Sequence, residues 1–312
     1  MSIYREQLPQ SRGTLFLTDG GIETTLIFHN GFDLPFFAAY PLLDSAPGRT
    51  ALREYYESYL AIAVHGHQGF VLESPTWRAN RDWGAELGHS ESDLDRYNRL
   101  AIELLESLRK EFSVPESPIV ISGCIGPRGD GYQVTSRMSG EEARQYHSHQ
   151  IAAFADTNAD MVSAITMTYP EEAIGITLAA QQAGIPAVIS FTTETDGRLP
   201  DGTILKDAIE RVDEATDNGP AYYMINCAHP DHFSQALEAG EDWVKRIQGI
   251  RANASRMSHD ELDACEELDD GNPEELGLQY KQLRSAFPSF SILGGCCGTD
   301  HRHIGEISHH CH

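Results

Sequence analysis

The sequence predicts an α/β protein whose single domain is a (β/α)8 barrel. Short apolar runs alternate with longer stretches in which apolar residues recur every three or four positions, and the alternation repeats eight times over about 290 residues. The chain has 312 residues, 40% of them apolar, which suits one large barrel with a sizeable core. A doubly wound open sheet is the alternative that the same alternation allows.

Eight runs have the composition of buried strands. Seven are clear. The eighth, around 245–253, is weak because RIQGIRANAS changes there from a polar helix pattern to a strand-like one. The clear runs are TLFLTDG from Thr14, GFVLESP from Gly69, SPIVISGC from Ser117, ADMVSAITMT from Ala159, IPAVISFTT from Ile185, AYYMINCAHP from Ala221 and FSILGGCC from Phe290.

Five segments between these runs predict amphipathic helices, and the last two open with Pro and end at Gly. They are RTALREYYESYLAIAVHGH, ESDLDRYNRLAIELLESLRKEF, GEEARQYHSHQIAAFADTN, PEEAIGITLAAQQAG and PDHFSQALEAG. No linker-like stretch divides the chain, so we expect one domain over 1–312 with frayed ends at about 1–12 and 305–312. The acidic run from Asp260 is interpreted as a solvated loop and helix face.

The net charge of −24 argues against nucleic acid or anionic lipid as a partner. No apolar run has the length of a membrane span, and the first residues have no basic-then-apolar signal pattern, so we expect a cytoplasmic protein. Six cysteines in such a chain do not indicate a disulfide framework. Metal binding or catalysis is the better interpretation of those that cluster.

Three cysteines directly follow predicted strands. Cys296 and Cys297 lie in LGGCCGT after the last strand, and Cys227 ends the run AYYMINC. Because the carboxyl ends of barrel strands meet at one face, these thiols would lie together. Three sulfurs suit zinc and leave a fourth tetrahedral position open, as in catalytic sites. Core packing of the same thiols is the alternative.

Several motifs stand in a fixed order along the chain: TDGG at 18–21, SPTWRAN at 74–80, GCIGP at 123–127, DGT at 201–203, INC at 225–227 and GGCCGT at 294–299. With these motifs the chain resembles the homocysteine S-methyltransferase family from about Leu15 to His303. The resemblance implies a (β/α)8 barrel with zinc on Cys227, Cys296 and Cys297, the groups on which catalysis would depend. It also implies methyl transfer to homocysteine, giving methionine.

The implied partners are a small thiol and a cationic methyl donor. A thiol bound to zinc loses its proton, and its sulfur would then attack the methyl group in line. The donor would be a sulfonium or quaternary ammonium compound, such as S-methylmethionine, S-adenosylmethionine, betaine or dimethylsulfoniopropionate. The sequence lacks the C-terminal segment of betaine-using members, which favours a sulfonium donor and leaves a monomer or a small homo-oligomer open.

The resemblance places substrate contacts in the landmark motifs. Trp77, with Tyr169 behind it, offers an aromatic face for the donor cation. Asn226 precedes a ligand and would orient the metal shell or the substrate, and Asn253 matches a family Asn. The expected substrate contacts are Asp19, Gly20, Glu23, Thr76, Trp77, Met167 and Asn226.

One position departs from the family. Homocysteine-specific members usually carry Glu-Thr after the fourth strand, where the glutamate binds the substrate amino group, and our alignment places Met167 there. A thioether cannot pair with an ammonium group. Asp19 or Glu23 then supplies the contact, the acceptor is another small thiol, or the alignment is shifted by one residue.

Two other classes of protein use a similar zinc site. A zinc hydrolase would hold water at the open position, but three thiolates place so much charge on the ion that the water remains a poor acid. A non-catalytic, zinc-stabilised barrel would need a fourth protein ligand, and His229 is the residue of the sequence that could supply it.

Overall fold

The structure is a computed structural model that describes residues 2–265 and 267–312. Eight parallel strands form a closed barrel in chain order, with β1 hydrogen-bonded to both β2 and β8. This closure confirms the (β/α)8 barrel and excludes the open doubly wound sheet, which would leave two strand edges unpaired. The strands are β1 Phe16–Leu17, β2 Gly69–Glu73, β3 Ile119–Ile125, β4 Met161–Met167, β5 Ala187–Phe191, β6 Tyr223–Asn226, β7 Ile247–Ala252 and β8 Ile292–Gly295.

All eight predicted strands are present, including the weak one, which is β7. The α-helices of the described residues are α1 Ile22–Thr24, α2 Ala46–His65, α3 Arg81–Glu86, α4 Glu91–Phe112, α5 Gly140–Ala155, α6 Pro170–Ala183, α7 Leu205–Thr216, α8 Pro230–Phe233, α9 Asp242–Lys245, α10 His259–Asp263, α11 Pro273–Ala286 and α12 His301–Cys311. None of these helices is both long and apolar enough to cross a membrane.

The predicted helices begin and end at recognisable capping residues. Ser90 precedes α4 and forms a capping box with Asp93. The Ser90 side chain accepts from the Asp93 amide, and the Asp93 side chain accepts from the Ser90 amide. Pro170 opens α6, and Gly184 ends it at a left-handed φ of 68°. These local signals agree with the apolar periodicity, which explains why these helix boundaries are readable in the sequence.

The helix predicted for PDHFSQALEAG is much shorter in the structure. Only α8 is α-helical, and a single 3₁₀ turn follows at Ser234–Ala236. The hydroxyl of Ser234 donates to the carbonyl of Pro230 and competes with the backbone for that acceptor. The acidic run forms a helix face and a loop with mostly exposed side chains, as interpreted, and Cys265 and residues 267–269 also line the main cavity. Met1 and Glu266 lie outside the described residues.

The apolar core has two layers. Inside the barrel, alternate strand residues such as Val71, Val120 and Ile292 pack together, with Leu8 of the N-terminal segment among them. Outside the barrel, the intervening residues pack against the helices. The period-two alternation of strands produces this division, and it leaves the carboxyl ends of the strands open for a site.

Both chain ends pack against the barrel, contrary to the expectation of frayed ends. The amides of Ile3 and Tyr4 donate to Asp160 Oδ1 at 2.8 and 2.9 Å. At the other end, α12 buries Ile307 and Cys311, and the guanidinium of Arg284 donates to the Cys311 carbonyl. The expectation failed because polar and histidine-rich composition does not reveal that a terminal segment has a buried face.

Asp160 is the buried anchor of the N-terminal segment, since Arg109 Nη1 also donates to its Oδ2 at 2.6 Å. We predict that Asp160→Asn lowers the free energy of unfolding by about 3–5 kcal/mol, because Arg109 would stay buried without its partner. Asp156→Asn, at a side chain 71% exposed, is the matched control and should change it by less than about 1 kcal/mol. Urea denaturation measures both. Equal effects would contradict the anchoring role.

Candidate active site

A cavity of about 520 Å³ opens at the carboxyl ends of the strands. Its wall is formed by residues in or after the carboxyl-terminal parts of β1, β2, β3, β4, β6, β7 and β8. In barrels of this kind the chemistry is located at this end. The cavity is therefore the place to examine the predicted site residues.

The three predicted cysteines lie together in the wall of this cavity. Cys227 directly follows β6, Cys296 and Cys297 directly follow β8, and their sulfur atoms all lie within 4.8 Å of one another. In this structure Cys227 and Cys296 are joined as a disulfide, whereas Cys297 keeps its thiol. The barrel thus brings two distant segments of the chain to one point.

The donor set fits a zinc ion once the disulfide is reduced, because the ligand form of cysteine is the thiolate. Tetrahedral zinc holds two thiolate sulfurs about 3.8 Å apart, which is compatible with a cluster that spans 4.8 Å at most. His229 is not part of this cluster. Its Nδ1 accepts from the Asp231 amide at 3.2 Å and caps α8, so the proposed fourth protein ligand does not reach the sulfurs.

The backbone around the cysteines is tightly constrained. Cys227 has a left-handed φ of 51°, a conformation that costs about 1–2 kcal/mol for a residue with a Cβ. His259 Nε2 donates to the carbonyl of Cys227 at 2.6 Å and holds it there. On the other side, a Cβ at Gly21 would lie only 2.6 Å from the carbonyl oxygen of Cys296. Glycine at this position allows the β1 loop to pack against the cysteine pair.

The segment GPRGDGY, residues 126–132, forms a loop that covers the cysteines. The hydroxyl of Tyr132 donates to Cys227 Sγ at 3.5 Å and lies 3.6 Å from Cys297 Sγ. Asp130 Oδ1 shapes the loop by accepting from the amides of Tyr132 and Gln133 at 2.7 and 2.9 Å. Burial, together with the neighbouring Cys297, raises the pKa of Tyr132 well above its ordinary value, so the phenol remains a donor.

Asp19 is engaged in a buried ion cluster. Arg251 of β7 donates from Nη2 to Asp19 Oδ1 at 2.6 Å and from Nη1 to Glu73 Oε2, and the Tyr55 hydroxyl donates to Asp19 Oδ2 at 2.9 Å. Burial raises the pKa of both carboxyl groups, and the guanidinium charge opposes this effect. Asp19 lines the cavity, but its charge is already matched by Arg251.

Glu23 is the predicted carboxylate that stays available. It lines the cavity half-buried, and within residues 2–265 and 267–312 no cationic side chain lies within 4.0 Å of it. Burial raises the pKa of Glu23 to about 7, and the negative charge of Asp19 adds to the shift, while Arg78 and Arg251 oppose it. An isolated carboxyl in such a cavity is suited to bind a cationic group of a ligand.

Trp77 lines the cavity, but its ring is already engaged. Its Nε1 donates to the carbonyl of Ile165 at 3.1 Å, and the guanidinium of Arg78 lies over the ring at 3.9 Å from the centroid. Trp77 is therefore less suited to a donor cation than the sequence indicated. Tyr169 is buried away from the cavity, where its hydroxyl accepts from the Met138 amide at 3.1 Å.

Three predicted substrate contacts do not line the cavity. Thr76 is buried, and its Oγ1 donates to the Cys124 carbonyl at 2.8 Å. Asn226 is also buried, where its Oδ1 accepts from the Thr166 amide at 3.0 Å and the Ser190 hydroxyl at 2.6 Å. Thr76 holds a strand end in place. Asn226 Nδ2 also donates to Cys296 Sγ at 4.0 Å, which agrees with the expectation that Asn226 orients the metal shell.

Met167 is the third predicted substrate contact that does not line the cavity. It packs in the layer between the barrel and its helices. A bulge shifts the register between β4 and β5 at this point, and Thr166 adopts a left-handed φ of 66°. As a result Thr166 lines the cavity and Met167 faces away from it. Met167 therefore does not line the cavity in this structure, and the end of β4 offers no carboxylate to it.

Sequence reasoning missed Arg251, Tyr132 and His259 as components of the site. Arg251 lies one residue before the end of the weak strand, so a charged residue near a strand end was the available signal for it. Tyr132 ends the loop GPRGDGY seven residues after β3, where an aromatic residue in a glycine-rich loop was the available signal. His259 lies in the polar segment that precedes the acidic run, and nothing in its local sequence marks it. Only the folded barrel brings it to Cys227.

Comparison with known proteins agrees with this geometry. The sequence model of the homocysteine S-methyltransferase family matches residues 16–311. The chain therefore belongs to the homocysteine S-methyltransferase family, a family of enzymes that transfer a methyl group to the sulfur of homocysteine. No curated protein sequence matches the chain significantly.

Solved structures of low sequence identity share the fold. The oxidised form of the homocysteine methyltransferase MmuM from Escherichia coli is similar with a TM-score of 0.74, at 18% identity and with 95% of each chain covered. The metallated form of MmuM is similar with a TM-score of 0.73, at 18% identity over 95% of this chain and 96% of that one.

The raised pKa of Glu23 predicts a pH-dependent stability. Between its ordinary value of 4.5 and about 7, the folded protein binds more protons at Glu23 than the unfolded chain, so this residue lowers stability as pH rises. In the reduced, metal-free protein, Glu23→Gln should match the wild type at pH 4 and exceed its free energy of unfolding by about 3 kcal/mol at pH 8. Glu54→Gln, at an exposed position, is the control. A pH-independent difference for Glu23→Gln would refute the prediction.

Proposed function

We propose that this enzyme is a zinc-dependent S-methyltransferase that moves a methyl group from a sulfonium or quaternary ammonium donor to homocysteine, giving methionine. The observation that supports it most directly is the cluster of three cysteine sulfurs within 4.8 Å of one another in the wall of the cavity. Family membership supplies the reaction class. The residues around the cluster indicate how the substrates are held.

Cys227, Cys296 and Cys297 would hold the zinc ion as thiolates. When bound, zinc lowers the pKa of a coordinated thiol and supplies a sulfur nucleophile at neutral pH. The hydroxyl of Tyr132 donates towards the same sulfurs and stabilises their negative charge. Covered by the Tyr132 loop, the cluster is shielded from water on one side, and an incoming thiol approaches from the cavity.

Glu23 binds the amino group of homocysteine in this proposal. Asp19 is matched by Arg251, and Met167 faces away from the cavity, so neither supplies the contact. Asn253 contributes a second acceptor. It is 2% exposed and lines the cavity, and its Oδ1 has no hydrogen-bond partner within the described part of the chain. An ammonium group between these two acceptors would satisfy both.

The methyl donor binds against aromatic side chains at the rim. Phe28 and Phe37 line the cavity and are 46% and 50% exposed, and Tyr132 lies deeper in it. Aromatic faces attract sulfonium and quaternary ammonium groups. As the homocysteine sulfur forms its bond to the methyl carbon, the donor's C–S or C–N bond breaks, its electron pair stays on the donor atom, and the donor leaves neutral. The thiol proton is lost before this step.

Methyl transfer and zinc content can be measured together. We predict that reduced, zinc-loaded protein forms methionine from homocysteine with at least one of S-methylmethionine, S-adenosylmethionine, betaine and dimethylsulfoniopropionate. Cys297→Ala removes one ligand and should lower both zinc content and activity at least about 100-fold. Cys311→Ala changes a cysteine outside both the cluster and the cavity wall and is the control. Methionine from the zinc-free protein would contradict zinc dependence. Full zinc occupancy without methionine would redirect the search to other thiols.

A further inference from the structure

Arg78 differs from the other buried arginines of the described chain. Arg78, Arg109 and Arg251 are 5%, 7% and 7% exposed. Arg109 pairs with Asp160 at 2.6 Å, and Arg251 pairs with Asp19 at 2.6 Å and with Glu73. In contrast, no carboxylate of residues 2–262, 264–265 or 267–312 lies within 4.0 Å of the Arg78 guanidinium. A buried cation without an anion is costly, and in a chain of net charge −24 its isolation is conspicuous.

The guanidinium of Arg78 is held rigidly at the cavity wall. It lies between two indole rings, 3.9 Å from the centroid of Trp77 and 4.0 Å from that of Trp83. Its Nε donates to the Phe36 carbonyl at 3.3 Å and its Nη1 to the Gly129 carbonyl at 3.1 Å. Nη2 donates no hydrogen bond to any described residue, although Arg78 lines the cavity. The side chain is therefore fixed in place, and its Nη2 group can donate a hydrogen bond to a ligand.

Asp130, the carboxylate that acts most strongly on Arg78, does not complete this arrangement. Asp130 influences Arg78 electrostatically, but its Oδ1 accepts from two amides of its own loop. Burial lowers the pKa of Arg78 to about 10, which still leaves it charged at neutral pH. A rigid, planar guanidinium is the group best suited to bind a carboxylate. Every proposed substrate of the cavity, acceptor or donor, carries a carboxylate.

We propose that Arg78 binds the carboxylate of a substrate in the cavity, whereas Glu23 binds the amino group of homocysteine. The inference deepens the proposed function, because it assigns a specificity-determining residue to the same site. The carboxylate belongs either to the acceptor thiol or to the methyl donor, and the two sources are separated by experiment.

Binding can be tested without turnover, because Trp77 and Trp83 are two of the three tryptophans of the chain. Butyrate should change the intrinsic fluorescence of the zinc-loaded protein in a saturable manner, and the uncharged butyramide should not. The change should persist in Arg81→Gln, at an exposed arginine of α3, and disappear in Arg78→Gln. Arg78→Lys, which keeps the charge, should retain part of it. A saturable change that survives in Arg78→Gln, or no change in the wild type, would overturn the proposal.

Steady-state kinetics then identify the source of the carboxylate. Homocysteine is compared with 3-aminopropane-1-thiol, which lacks the carboxylate, and S-methylmethionine with its decarboxylated analogue. Arg78→Gln should raise KM about 10- to 100-fold for the one substrate whose carboxylate it binds, leave the KM of that substrate's analogue unchanged, and leave kcat largely intact. Equal losses for all four compounds would show a purely structural role. If the wild type transfers no methyl group, the proposed function fails while the fluorescence result still decides the role of Arg78.

Discussion

The backbone of β7 holds the two halves of the cysteine cluster together. The amide of Cys227, after β6, donates to the Arg251 carbonyl at 3.1 Å, and the amide of Cys296, after β8, donates to the Ala252 carbonyl at 2.8 Å. Residues 227 and 296 are therefore positioned by two adjacent peptide units of a single strand. The spacing of the sulfurs, the position of the cavity and the access of a thiol all depend on this strand being in register.

The side chain of Arg251 extends the same constraint to the other side of the barrel. Besides its bonds to Asp19 and Glu73, it donates from Nε to the Gly295 carbonyl at 3.1 Å. One guanidinium thus joins the carboxyl ends of β1, β2, β7 and β8. Because buried ion clusters contribute less to stability than to a defined geometry, we interpret Arg251 as a positioning residue. Its presence also determines which carboxylate remains for a substrate, since Asp19 is matched and Glu23 is not.

The sequence was most informative where local chemistry and periodicity coincide. The strands, the capped helices and the three cysteines at strand ends were all predictable, because each depends on neighbouring residues or on the common direction of barrel strands. Side-chain accessibility at strand ends was not predictable to the same degree. The bulge in β4 exchanges the faces of Thr166 and Met167, and a one-residue shift of this kind leaves no mark in the composition.

Long-range pairing was the other limit of prediction. Arg251 and Asp19 are 232 residues apart, and His259 meets Cys227 across 32 residues. Arg78 was visible in the motif SPTWRAN, but its isolation from carboxylates is a property of the folded cavity. The sequence therefore predicted the kind of chemistry, whereas the structure identifies the charges available to a substrate.

The most direct test of the metal centre is zinc K-edge X-ray absorption spectroscopy of the reduced, zinc-loaded protein. Without substrate, we expect three sulfur ligands and one lighter atom, at distances of about 2.3 and 2.0 Å. Addition of homocysteine should replace the lighter atom with a fourth sulfur at about 2.3 Å. A spectrum with three sulfurs that homocysteine leaves unchanged would contradict the account, because the substrate thiol would then not reach the metal.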